Sequence, residues 1–430
     1  MTAFDRLDCA VAANWCIIGR SGVRASKRRL VLGALIVTAF AVLWTIAASR
    51  LWRSHVPGDL NLPHTDPSTY FTSSQLERAR NYERFVRIDF LLSQIVLIGV
   101  LAAYAARGAR FARESAAGRI GTGMLLGMLG FALVWIAELP FGAAELWWER
   151  RHGVSRQGYL DWIVGSWLGL GSEFLFICLA IVIVMALAGW LRHTWWIAGA
   201  PVFAAIFLVA AFLQPYLIGN THPLRNARLA GEARQLARAE GVSNVPVRVQ
   251  KVHRYTTEPN AAATGLGPSR RVILWDTLLD GRFSPRQVRV VLAHELGHLS
   301  RHHIWKGVLW FVLFAFPIAF VLALATRSRG GLYEARAVPL ALLVLVVVGL
   351  LALPLQNLIS RRIESEADWV ALQTTRDPAA ARGLFQRFST VGLEQPDPPS
   401  WAYVFLANHP TIVQRIAMAN AWQARHRAHR

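Results

Sequence analysis

The chain has 430 residues, 54% of them hydrophobic and only 17% charged, with a formal net charge of +20. That is too apolar and too sparsely charged for an ordinary soluble enzyme. Nor does the charge point to nucleic acid. Most arginines lie in segments between apolar runs, where they can meet anionic lipid headgroups, and no aromatic and basic interleaving accompanies them. Membrane lipid is therefore an expected partner and nucleic acid is not.

A bilayer-spanning helix needs about 20 mostly apolar residues. The first 29 residues are basic and lack a short apolar core with a cleavage site. The first apolar run, Leu30 to Ser49, therefore reads as a retained anchor. Four more runs follow, from Ile88 to Ala106, Ile120 to Ala144, Tyr159 to Leu191 and Trp195 to Ile218. The fourth of the five is long enough to tilt or to project beyond the bilayer. After a polar interval come Ile304 to Thr326 and Ala337 to Leu355, so seven spans are expected. Trp52, Trp147, Trp148, Trp190, Trp195, Trp196 and Trp305 fall near span ends, where amphipathic rings settle. Glu138, Glu145, Asp161 and Glu173 lie in or near spans, where ionisable groups face a cavity or a partner, and Glu173 is expected to face a cavity. The three cysteines, Cys9, Cys16 and Cys178, show neither metal spacing nor an even disulfide framework. Cys9 and Cys16 read as free thiols.

The polar interval has its own pattern. Leu229, Ala233, Leu236 and Ala237 recur at helical spacing, and Gly241 suits the stop. VPVRVQKV alternates and reads as a strand. NAAATGLGPSRRVILWD reads as two short strands joined at Gly265 to Pro268, giving a small β-meander. Next, Ser284, Pro285 and Gln287 form a helix start with a capping box, just before VVLAHELGHLSRHHIW.

His294, Glu295 and His298 form H-E-x-x-H. Positions four apart share a helix face, about 40° from each other, so two imidazoles can grip one zinc ion. The neighbouring Glu295 can take the proton of a metal-activated water attacking a peptide carbonyl. A third ligand is still needed. The H-x-x-G-x-x-H extension fails, because Arg301 and Ile304 occupy its glycine and histidine positions. His302 lies one turn further along, but three collinear helical positions do not easily surround an ion, and His302 and His303 read as a basic juxtamembrane flank. After the seventh span, Glu364 and Asp368 share a face, while Glu366 points about 200° away from Glu364. On spacing alone these acids are equally a third ligand with its supporting carboxylate or a solvated helix start behind Arg361 and Arg362.

HELGH (294–298) followed by NLISRRIESEAD (357–368) resembles the M48 family of membrane zinc metalloproteases, and within it the membrane-spanning CAAX prenyl proteases. NAAATGLGPSRRVILWDTLL, LPFGAAELWWERRHGVSRQG and NHPTIVQRI are similar to further segments of those enzymes, so the likeness covers most of the chain. The heat-shock HtpX-type members share the zinc motifs with fewer spans. The resemblance implies a mainly α-helical polytopic membrane protein with about seven transmembrane helices and a gluzincin-type α+β zinc protease domain. His294, His298 and Glu364 would bind one Zn2+, with Glu295 as general base. Asp368 would orient a ligand histidine, and Asn357 would join it in supporting the site. His409 would stabilise the oxyanion, and Arg415 would hold the C-terminal segment. Asn260, Ala261 and Ala262 would form an edge strand on which a peptide or protein substrate, possibly prenylated, pairs by β-addition. Two departures are visible: Ala262 stands where an aromatic residue is frequent, and Asn408 where a small hydroxyl residue is common.

The chain then divides into a basic segment 1–29, a five-span region 30–218, a first catalytic part 219–303, the sixth and seventh spans 304–358, and a second catalytic part 359–430. The two catalytic parts flank two spans, so they share one side of the membrane. Arg107, Arg110, Arg113 and Arg119, with the basic N-terminus, would put their own side in the cytoplasm by the positive-inside rule. The resemblance implies a cytoplasmic catalytic side instead, and that is the expectation adopted. The leading reading is a zinc endopeptidase for C-terminal processing. The alternatives are an HtpX-like quality-control protease and a channel or transporter with a structural metal site.

Overall fold

The computed structural model describes residues 35, 38–113, 115–242 and 244–427. Cys9, Cys16, the basic segment 1–29 and the start of the first expected span lie outside these residues. The chain divides into two units, Met1–Arg53 and Ser54–Arg430. The first carries an apolar helix, α1 (Thr38–Leu51).

Among its described residues the second unit contains six long apolar helices. They are α2 (Ser73–Arg107), α3 (Gly118–His152), α4 (Tyr159–Leu191), α5 (Trp195–Leu217), α8 (His303–Thr326) and α9 (Val338–Thr375). They make up five stretches long and apolar enough to cross a membrane, because α4 and α5 run on within one stretch, Tyr159–Leu217. A 3-10 turn at Arg192–Thr194, with Arg192 in the left-handed region at φ 54°, separates these two helices. Leu160, Leu175, Trp190, Leu217 and Leu351 stand 73 to 80% exposed, an outward apolar surface that lipid, not water, solvates. The chain is an integral membrane protein.

Several helices outrun the expected spans. At about 1.5 Å per residue, the 38 residues of α9 reach about 57 Å, well beyond a hydrocarbon core of about 30 Å. Its excess carries the acidic segment 364–368 out of the bilayer on the same rigid rod, with no helix break at 358–359.

Between α5 and α8 lie β1 (Thr221–Pro223), α6 (Ala227–Ala239), β2 (Val247–Gln250), β3 (Ala261–Thr264), β4 (Arg271–Trp275) and α7 (Pro285–Ser300). After α9 come α10 (Pro378–Gly392), α11 (Ser400–Phe405) and α12 (Ile412–Arg427). The expected helix is α6: Asn226 caps its first turn, its four apolar positions are buried, and Gly241 follows at φ 72°. The expected meander is corrected. The strand order is β1-β2-β4-β3, with β2 and β4 parallel. The segment 251–260 carries the chain past β4's place to the sheet edge, and the turn at 265–270 brings β4 back inside. β1, three residues ending in a proline, pairs antiparallel with β2.

One core joins these pieces. Leu274, Leu292, Leu296, Trp369, Leu372, Ile412 and Ile416 are fully enclosed, each such side chain contributing about 1.5–3 kcal/mol of apolar burial. Helix α7 is buried along almost its whole central length, Val290 to Gly297. Gly297 permits that: a Cβ there would stand 3.3 Å from Cβ of Val370, so α7 and α9 approach closely because this side chain is missing.

Candidate active site

Helix α7 begins where expected. Ser284 Oγ accepts the Gln287 N–H, and Gln287 Oε1 accepts the Ser284 N–H at 2.8 Å. The rigid start holds His294 and His298 against α9. There the ring of His294 lies with Nε2 3.1 Å from Nε2 of His298 and 3.1 Å from Oε2 of Glu364. His298 Nε2 is 3.6 Å from the same oxygen. The three donor atoms lie within 4.8 Å of one another, on side chains mostly withdrawn from solvent. Donors around a tetrahedral ion with bonds of about 2.0–2.1 Å are spaced about 3.3 Å apart, which matches this triangle.

The electrostatics ask for a cation. Glu364 Oε2 is buried without a hydrogen-bond partner, although imidazole nitrogens stand around it. Burial disfavours a charged His294, yet Asp368 and Glu364 outweigh it and push its pKa up to about 10. A divalent ion answers the same demand through the nitrogen lone pairs. The residues therefore fit a metal.

Asp368 supports the triangle from behind. Its Oδ1 lies 2.9 Å from Nδ1 of His294, and Arg415 grips both its oxygens at 2.7 and 2.8 Å. Arg415 thus acts on the aspartate and ties α12 to α9. Asn357 does not reach the triangle. Its amide donates to the Phe405 carbonyl at 2.7 Å, while Arg361 donates to the carbonyls of Tyr403 and Ala407. These two residues set the loop that leads to His409, whose Nε2 stands 3.3 Å from Glu364 Oε2 and whose Nδ1 faces Asn408 Oδ1 at 2.7 Å.

Glu295 is buried, and its Oε2 accepts the backbone N–H of Ala263 on β3 at 2.6 Å. β3 pairs with β4 on one side only, so its other edge is open. The Ala263 N–H, like that of Ala261 bonded to the Asn260 side chain, belongs to this open edge. Asn260 and Ala261 line a cleft of about 720 Å³ together with His294, Glu295 and His409; Ala262, the next residue of β3, is exposed and does not line it. The cleft is also lined by Glu83, Glu145, Glu149, Glu258 and Glu394.

A second cavity of about 450 Å³ between the membrane helices shares Val86 and Glu145 with the cleft and includes Asp89, Ser93 and Glu138. Glu138 and Glu145 therefore face cavities as expected. Glu173 does not: it is exposed on the outer face of α4 and lines neither space. The helix turns it outward, and depth along a span does not tell which face a residue takes. His303 is a second correction. It is buried, with its ring between His298 and Glu366, and is not a solvated flank. His302, by contrast, is exposed and away from the triangle.

Two histidines and a glutamate that converge at donor spacing, with a buried glutamate beside an open strand edge, define a membrane-embedded metallopeptidase. The comparisons with known proteins agree. Residues 223–423 match Peptidase family M48. The uncharacterized metalloprotease YhfN of Bacillus subtilis is 27% identical over 282 residues, spanning 62% of this chain and 66% of that protein. CAAX prenyl protease 1 of Saccharomyces cerevisiae is 26% identical over 238 residues, 49% of this chain and 51% of the yeast protein. The crystal structure of S. mikatae Ste24p shares the fold, with a TM-score of 0.67 at 18% identity over 90% of this chain and 98% of that one. The chain is a metalloendopeptidase whose residues 223–423 carry the likeness to family M48.

Proposed function

We propose that the metal is zinc, one per chain, held by His294, His298 and Glu364, and that the enzyme cleaves near the C-terminus of membrane-associated peptides, prenylated ones included. The observation that carries the reading is the triangle of Nε2, Nε2 and Oε2 atoms beside a glutamate that reaches the edge strand. When bound there, zinc would acidify a water molecule and polarise the scissile carbonyl. Glu295 takes the proton of that water and returns it to the leaving amine. His409, held at Nδ1 by the Asn408 side chain, donates from Nε2 toward the developing oxyanion. Substrate main chain pairs with the open edge of β3 at Asn260, Ala261 and Ala262, which positions a peptide bond without demanding a sequence. The yeast relative named a CAAX prenyl protease supports the prenylated class of substrate.

The catalytic side is proposed to be cytoplasmic, on the same likeness. The arginines at the opposite helix ends (Arg107, Arg110, Arg192, Arg327, Arg329 and Arg336) argue the other way by the positive-inside rule. A topology reporter fused after Arg430 measures the side directly.

The activity test uses the purified protein with farnesylated and unfarnesylated C-terminal peptides and an unfolded membrane protein, each with and without a chelator. Chelator-sensitive cleavage favouring the farnesylated peptide is expected. Preference for the unfolded protein would replace the processing reading with quality control. Absence of any metal-dependent cleavage would overturn both.

A further inference from the structure

The Nδ1 of His294 leans directly on a carboxylate, but the Nδ1 of His298 reaches one only through another histidine. His298 Nδ1 lies 2.9 Å from Nδ1 of His303, and His303 Nε2 lies 3.1 Å from Oε2 of Glu366. His303 is 4% exposed and Glu366 1%. Glu366 is itself held from two directions. Lys306 Nζ donates to it at 2.9 Å, and His55 meets Oε1 with its backbone N–H at 3.1 Å and its ring Nδ1 at 2.5 Å.

Hydrogen-bond chemistry orders the protons along this chain. Two neutral imidazoles whose Nδ1 atoms approach to 2.9 Å need one N–H between them. If His298 offers its Nε2 lone pair to a metal, its proton sits on Nδ1 and is donated to His303. The proton of His303 is then on Nε2 and is donated to Glu366. Every ring carries one proton and every contact has a donor and an acceptor.

We propose that His303 and Glu366 are positioning residues that fix the tautomer and ring orientation of His298 for metal binding. This rests on His298 being a ligand, as proposed above. Groups in this place behind a ligand histidine alter metal affinity about 10–100-fold.

The test is a competition titration of zinc against a fluorescent indicator on the purified full-length protein. His303→Leu fills the space but accepts nothing. His303→Asn sets an amide oxygen near the place of Nδ1 and keeps an acceptor for His298. Positioning predicts zinc affinity about 10–100-fold weaker in the leucine variant and largely restored in the asparagine variant. A packing role predicts the reverse order. If the leucine variant does not fold, His303→Ala takes its place with the same expectation. Zinc affinity equal to the parent in the leucine or alanine variant, or equally weak in the asparagine variant, overturns the proposal. His298→Ala separates the two levels: it should lose zinc. If it keeps one tightly bound zinc ion, the ligand assignment fails and the relay with it. If it loses zinc while the leucine and alanine variants do not, the ligand assignment stands and only the relay falls.

Discussion

Arg415 and Asp368 form a two-pronged ion pair, Nε to Oδ2 at 2.8 Å and Nη2 to Oδ1 at 2.7 Å, in the core behind the site. Neither residue belongs to the proposed ligand triangle, yet Asp368 Oδ1 also meets Nδ1 of His294. The pair therefore couples the packing of α12 to the orientation of a proposed ligand histidine. Removing one partner leaves a buried charge, at a cost of about 3–5 kcal/mol. Asp368→Ala is expected to lower stability by that amount in denaturant unfolding and to weaken metal binding about 10–100-fold. A variant as stable as the parent, with unchanged metal affinity, would refute the coupling.

The open edge of β3 gives a backbone test. The Ala263 N–H points away from β4, toward Glu295, so proline at 263 removes a donor without breaking the ladder. Ala263→Pro is expected to keep fold and metal content while cleavage falls about tenfold, the worth of one backbone hydrogen bond. Peptide turnover beside a metal assay checks it. Full activity in the variant would show that substrate does not use this edge.

A pH dependence follows from Glu240, at the end of α6. Both its carboxylate oxygens are enclosed, and burial pushes its pKa up to about 8. The folded state thus holds this proton more tightly than the unfolded chain, whose carboxyl titrates near 4.5. Its favourable contribution is complete below about pH 4.5 and is lost as the pH rises toward about 8. Glu240→Gln should flatten that part of the stability profile. It should raise stability at pH 8 by on the order of 1 kcal/mol, since water still reaches part of the side chain. Thermal unfolding of both proteins across pH 5 to 8 reads the difference, and parallel profiles would contradict it.

Much of this was legible in local pattern. The capping box before α7, the four apolar positions of α6 and the strands at 247–250, 261–264 and 271–275 each depend on near neighbours, so spacing and turn chemistry reveal them. The sheet order is different: it depends on where the segment 251–260 crosses, which no periodicity encodes. The helix ends were understated because Glu83, Arg87 and Arg361 end an apolar window while the helix itself continues into the catalytic region. His303 was misread for a backbone reason. His302 adopts φ 56°, so α8 starts in a new direction, and a helical wheel carried on from α7 loses its meaning there. Glu366, by contrast, does point away from Glu364 as the wheel requires, and its partners lie on that other side.

In the proposed mechanism Glu295 moves the proton while His294, His298 and Glu364 hold the metal. Glu295→Gln keeps the size of the side chain and nearly all its contacts but cannot accept the proton. Metal content and peptide cleavage measured on the same preparation test it most directly. The metal-to-protein ratio should be unchanged and cleavage slower by about 10²–10⁴. Cleavage at the parental rate, with metal bound, would contradict it.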